Sequence, residues 1–367
     1  MKSQIAITKV NLTENEIQAA VEILKSGNLR QGKKTEEFEY SFAEKIGAKY
    51  AVAVSSGTAA LHIAYLSVLE IGDEVLLPSF TFIATASMVH YSNCNPIFCD
   101  ADRETFTIDI EDAKKRITEK TKAIAPVHLF GNACDVEKIE ELANNHNLRI
   151  IWDAAQAHGT RYRGKDVGCL NDLVCYSFYP SKNMITGEGG MVTTNNPKLN
   201  EKLRLLRSHG QAKKYFHTDF GFNYRMTDVE ASIGLEQLKR LDPMTEIRRR
   251  NTEILNQGIN TVDGIIAQKT TIGADHSYHQ YCVLVDPDEY GCDRDQLALY
   301  LKNENILTGV HYPRGLHEQP VFQERLGKME LPVTEYLTRH ILALPIHHNL
   351  YPSDMERIVD AIKENHK

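Results

Sequence analysis

The sequence predicts an α/β protein with a largely parallel sheet covered by helices, followed by a smaller α+β domain. Three observations predict it: the order apolar run, Gly/Pro/Asp turn, amphipathic stretch repeats over the first two-thirds of the chain; the apolar runs are short, as buried strands are; and the texture changes near residue 245.

The first apolar run, Tyr50–Val54, is broken by Ser-Ser-Gly-Thr, after which Ala59–Leu69 has helical composition. Runs at Asp73–Leu77, Asn95–Phe98, Lys122–Val127, Arg149–Trp152 and Leu173–Phe178 read as further buried strands. At Leu238–Arg250 a long charged helical segment begins, followed by an alternating run at His279–Val285 and a Pro-rich tail. This places a large domain at 1–245 and a small one at 246–367, with no internal repeat and no low-complexity linker.

Composition narrows the function. The chain of 367 residues is 42% apolar and 25% charged, ordinary for a globular protein of about two domains. Its 42 basic and 49 acidic side chains leave a formal charge of −7, so no broad basic field tracks a nucleic-acid backbone. The start, MKSQIAITKVNLTENE, has no apolar h-region, and no stretch approaches the roughly 18 apolar residues of a membrane span. The protein is read as cytoplasmic. Seven cysteines that never form a CxxC pair argue against a disulfide framework or a zinc knuckle, and the expectation is no metal.

Three motifs carry chemistry. Ser55-Ser56-Gly57-Thr58 lies between a strand and a helix, where unpaired backbone N–H groups and the helix dipole favour a phosphate; the alternative is a plain tight turn. Neither GxGxxG nor GxxxxGK[ST] competes for that loop. Asp153 ends an apolar strand, where ligands of open α/β sheets bind, and can hold a pyridinium nitrogen protonated so that the ring acts as an electron sink; equally, it can cap a following helix. Lys182 follows the strand Leu173–Phe178 and precedes Thr186-Gly-Glu-Gly-Gly190, a setting that desolvates its amine and frees it for a Schiff base. Ser177 lies five residues earlier, within reach of a phosphate, and His158 is either an outer support or a structural side chain.

An anion cradle, a carboxylate and a poised lysine, each after its own strand, resemble the DegT/DnrJ/StrS family of sugar aminotransferases. The resemblance rests on SSGTAALHIA, GDEVLLPSFTFIATA, DAAQAHGTRYRGKDVG, SFYPSKNMITGEGGMVTTN, FNYRMTDVEASIGLEQL and HYPRGLHEQPVF, and covers nearly the whole chain. It implies the aspartate-aminotransferase fold (fold type I), with a mainly parallel seven-stranded sheet. The implied cofactor is pyridoxal 5′-phosphate (PLP), with pyridoxamine 5′-phosphate as the intermediate form. It further implies Lys182 as the lysine that carries the cofactor, Asp153 against the pyridine nitrogen, Gln156 near the phenolic oxygen and Phe82 stacked on the ring. Gly57, Thr58 and Ser177 match the phosphate cup, and Asn223 the phosphate ligand from a neighbouring subunit, hence a homodimer with shared active sites. Arg225, His311 and Tyr312 fall where the family contacts the sugar nucleotide. Without the family, Phe82 reads as a core aromatic, Asn223 as a turn residue, Arg225 as a surface charge and His311-Tyr312 as a strand end. The implied reaction moves an amino group from L-glutamate, leaving 2-oxoglutarate, to C3 or C4 of a nucleotide-linked keto sugar. A sugar dehydratase, in which histidine replaces the lysine, another fold-type-I enzyme, and a PLP-binding regulator are the competing readings.

Overall fold

The computed structural model describes residues 3–366. Seven strands form the central sheet: β1 (Tyr50–Val54), β2 (Glu74–Pro78), β3 (Asn95–Cys99), β4 (Thr121–Ile124), β5 (Arg149–Asp153), and, after the two-residue strands β6 (Arg161–Tyr162) and β7 (Lys165–Asp166), β8 (Leu173–Ser177) and β9 (Gly190–Thr194). Their order is β1-β9-β8-β5-β4-β2-β3. β9 runs antiparallel to both neighbours and every other pairing between adjacent strands is parallel. Six of these strands were legible as apolar runs. The seventh was not: β9 begins at Gly190, inside what reads as a glycine turn.

Period-two alternation divides the sheet's side chains between two faces. Ala51, Ala53, Leu76, Ile124, Trp152, Val174 and Tyr176 face a core shared with α2 (Lys33–Ile46), which follows α1 (Glu14–Ser26). Val52, Val54, Val75, Leu77, Ile151, Leu173 and Cys175 face a second core, shared with α3 (Gly57–Val68) and α4 (Ala84–Tyr91). The sheet is therefore a middle layer between helices, as its unbroken apolar runs require.

The charged helix starts earlier than the sequence suggested. It runs from Asp228 to Ile259, not from Leu238, because Thr227 and Glu230 form a reciprocal capping box; Pro243 lies inside it. One helix thus contributes Ala231 and Leu235 to the first core, and Leu255 and Ile259 to a third. That third core includes Ile265, Tyr281, Val283, Leu342 and Ile358, and Ile5 joins it from the N-terminal segment. The run read as alternating is a strand, Tyr281–Val285, paired with Ile265–Ala267 and Ile341–Leu344 and buried at every position because a core covers each face: Tyr281, Val283 and Val285 on one, Cys282 and Leu284 on the other. Among the described residues no helix is long and apolar enough to cross a membrane.

Candidate active site

The carboxyl ends of β1, β2, β5 and β8 open onto one cavity of about 520 Å³. The chain leaves each strand there through a different local device. After β1, Ser56 caps α3 by accepting from the Ala59 N–H at 3.0 Å, which leaves the earlier N–H groups of Gly57 and Thr58 outside the helix's own ladder. Gly57 sits against β8 so closely that a Cβ would lie 2.6 Å from Ser177 Cβ, and at Gly190 a Cβ would lie 2.3 Å from the Ser56 carbonyl oxygen. Both positions need glycine, and together they press the α3 terminus against the strand that carries Ser177.

Asp153 ends β5 and is buried. Its Oδ1 accepts from the Ala155 N–H at 3.0 Å and its Oδ2 from the Thr85 hydroxyl at 2.8 Å. Turns rather than a helix follow it, so the helix-cap alternative does not hold. Burial pushes its carboxyl up; the Ala155 and Thr85 hydrogen bonds and the charge of Lys182 work against that. Lys182 keeps part of its side chain open to the cavity, yet surrounding protein strips enough water from the amine to lower it to about 8, with Asp153 opposing. His279 and His311, also in the cavity wall, are pushed down first by burial and then by the Lys182 charge, so they stand as neutral imidazoles.

Gln156 links two walls. Its Oε1 accepts from the Phe130 N–H at 2.7 Å, and its Nε2 donates to the Tyr312 hydroxyl at 3.1 Å. Phe82 is 55% exposed and lines the cavity, its ring centroid 6.4 Å from that of Tyr312. An aromatic face left open at a cavity is a stacking surface, so Phe82 is not the core aromatic that its residue type alone suggests.

The cavity therefore brings together Gly57, Thr58, Phe82, Asp153, Gln156, Ser177, Lys182, His311 and Tyr312. Asn223 and Arg225 lie outside its lining, on an extended run that bridges to Ser208 and Val54. The sequence reading missed Thr85, Tyr179, Glu188, His279 and Gln280; the last four line the cavity and Thr85 supports Asp153 from behind. His158 is buried below, its ring 5.1 Å from Tyr176 and 5.5 Å from Phe178.

These residues fit PLP. An amine of lowered basicity suits its aldehyde, a buried carboxylate its protonated ring nitrogen, the open face of Phe82 its ring, and the free N–H groups of α3 with the Ser177 and Thr58 hydroxyls its phosphate.

The profile of the DegT/DnrJ/EryC1/StrS aminotransferase family matches residues 10–363. This chain belongs to that family. Membership brings PLP-dependent amino transfer as its chemistry and fold type I as its architecture. GDP-perosamine synthase of Escherichia coli O157:H7 is 37% identical over 338 residues, 91% of this chain and 90% of that protein. DesV of S. venezuelae superposes with a TM-score of 0.94 at 33% identity, covering 99% of this chain and 98% of DesV. The sugar aminotransferase Spr1654 of Streptococcus pneumoniae, solved in PLP and PMP forms, gives 0.92 at 27% identity over 99% and 98%.

Proposed function

We propose that this chain transfers an amino group from L-glutamate to C3 or C4 of a nucleotide-linked keto-deoxy sugar, as a cytoplasmic homodimer with shared active sites. The observation that carries the reading is the convergence of Lys182, Asp153, Gln156 and Phe82 with an α3 phosphate cradle in one cavity, in a chain 37% identical to GDP-perosamine synthase.

Bound PLP supplies an electron sink for the charge that develops at the carbon losing its proton. Lys182 Nζ would hold the cofactor through its carbonyl carbon and, when free, would serve as the base that takes the proton from the amino acid's α-carbon and as the acid that gives it back. Its depressed basicity leaves a usable neutral fraction near pH 7–8. Asp153 would keep the ring nitrogen protonated, and Gln156, its amide fixed by the Phe130 N–H, would face the phenolic side. Gly57, Thr58 and Ser177 would hold the phosphate and His311 and Tyr312 would face the sugar, and Arg225, outside the single-chain cavity, is assigned to the sugar nucleotide by the family resemblance. We assign residues 1–245 to a cofactor-binding domain and 246–367 to a smaller domain, joined by the helix Asp228–Ile259.

Asn223 is exposed and outside its own chain's cavity, which supports a role at the phosphate of a second copy. Mixing Lys182→Ala with Asn223→Asp chains tests this. A two-fold dimer places both lesions in one site and leaves the other intact, so activity recovers toward about half per heterodimer. Confirmed exchange without recovery removes the shared site. The substrate is tested by supplying GDP-, UDP- and dTDP-linked keto sugars with glutamate and following 2-oxoglutarate; turnover with none of them, while glutamate still bleaches the visible cofactor band, overturns the sugar assignment alone.

A further inference from the structure

We infer that His62 is the positioning residue for Asn223, acting through a clamp on the two aromatic residues that flank it. The inference rests on the proposed phosphate role of Asn223. His62 stands on α3, four residues past Thr58, and is buried. Its Nδ1 shares a 3.0 Å hydrogen bond with the Tyr224 hydroxyl. Its ring lies 4.9 Å from that of Phe222 and 5.9 Å from that of Tyr224. Phe222 and Tyr224 stack on each other at 4.8 Å with an interplanar angle of 6°.

This stack and the extended backbone together fix where Asn223 points. Residues two apart in an extended chain share a side and the one between faces the other way. With Phe222 and Tyr224 both drawn onto His62 and packed against the second core, Asn223 faces away from α3, and it is exposed. The backbone is fixed to match. The Phe222 N–H donates to the Leu206 carbonyl at 2.7 Å and the Tyr224 N–H to the Arg207 carbonyl at 3.0 Å. On the other side the Ser55 N–H donates to the Tyr224 carbonyl at 2.8 Å, tying the run to the turn that begins the phosphate cradle. The main chain therefore sets the register and the alternation of sides, and one imidazole holds the Phe222–Tyr224 stack that keeps the run from twisting out of it. A residue that must reach an anion on another copy needs that direction held, since a misplacement of an ångström forfeits a hydrogen bond.

The test is the PLP dissociation constant of the holoenzyme, read from the visible cofactor band after dilution, beside melting temperature as a control for folding. Asn223→Ala raises the constant by about tenfold or more, the range for a hydrogen bond to a charged group. His62→Leu and Tyr224→Phe each raise it by about fivefold, the worth of one ordinary hydrogen bond, and His62→Gln, which keeps a partner for the hydroxyl, restores most of the loss. Combining His62→Leu with Asn223→Ala adds nothing further, because both act through one contact. Tyr224→Phe is conservative enough to fold, so the comparison survives if His62→Leu does not. An unchanged constant in Tyr224→Phe, or additive losses in the double variant, overturns the clamp while leaving the role of Asn223 standing. An unchanged constant in Asn223→Ala removes that role, and the clamp with it.

Discussion

At the inner end of the cavity Asp153, Gln156 and Tyr312 commit polar atoms to the chain itself: Asp153 to Thr85 and the Ala155 N–H, Gln156 to the Phe130 N–H and to Tyr312. At the mouth Thr58, Phe82, Tyr179 and Glu188 are exposed, and the first N–H groups of α3 stay outside its ladder. The inner end is also where protonation is displaced, Lys182 downward and Asp153 upward, both chiefly by burial. The difference separates two tasks. Groups beside the reacting atoms are fixed and dehydrated, because a preset environment sets their charge and direction before substrate arrives; groups placed for the phosphate and the ring face are left uncommitted.

Lys182→Ala breaks the comparison most sharply. It removes the proton carrier but touches no mouth residue, so turnover falls by at least about 10³-fold while noncovalent PLP binding and the melting temperature persist. Borohydride reduction of the wild type followed by peptide mapping places the label on Lys182; a label on another lysine ends the assignment.

Asp153→Asn is the next largest. The amide keeps the Thr85 contact but cannot hold a protonated pyridine nitrogen, so turnover with the same nucleotide sugar drops by about 10²-fold or more with PLP still bound. Near wild-type turnover would reduce Asp153 to a structural turn residue.

Gly57→Ala probes the mouth. The new methyl would meet Ser177 Cβ at 2.6 Å, so the α3 terminus must move from β8, at about 1–3 kcal/mol. The expected result is weaker PLP retention with kcat at saturating cofactor largely kept, the reverse of the Asp153→Asn pattern. Loss of kcat at full occupancy would show that the two ends are not separable.

Legibility follows the same division. Gly57, Ser177, Asp153 and Lys182 were readable because each sits within a few residues of a strand end, and an apolar run announces a strand. Thr85 was not: it looks like one more small residue of FIATA, and its partner Asp153 is 68 residues away. The Gln156–Tyr312 bond spans 156 residues, so no local pattern reveals it. Likewise β9 was hidden because its first residue is a glycine whose place is set by contact with Ser56, not by strand propensity. Local sequence shows which chemistry reaches the strand ends, whereas the supports that tune it are long-range contacts.

The smallest effect is one of pH, and it sharpens the comparison within the inner end. In the cofactor-free chain the Lys182 amine titrates at about 8 instead of its ordinary 10.5, because burial disfavours the ammonium. The rate at which it captures added PLP, corrected for the titration of PLP itself, therefore rises by about tenfold from pH 7 to 9 and then levels, whereas an ordinary lysine would keep climbing past pH 10. The stability sign follows from the same displacement. Below pH 8 both folded and unfolded chains carry the proton and folding bears the cost of burying the charge; between about 8 and 10.5 only the unfolded chain keeps it, so stability rises with pH. Lys182→Met should accordingly raise the melting temperature of the cofactor-free protein at pH 7 and change it little at pH 10. Asp153 works against burial here, so Asp153→Asn moves the capture plateau to lower pH. A plateau unmoved by Asp153→Asn would mean that the two groups do not sense each other, and that burial alone sets the lysine.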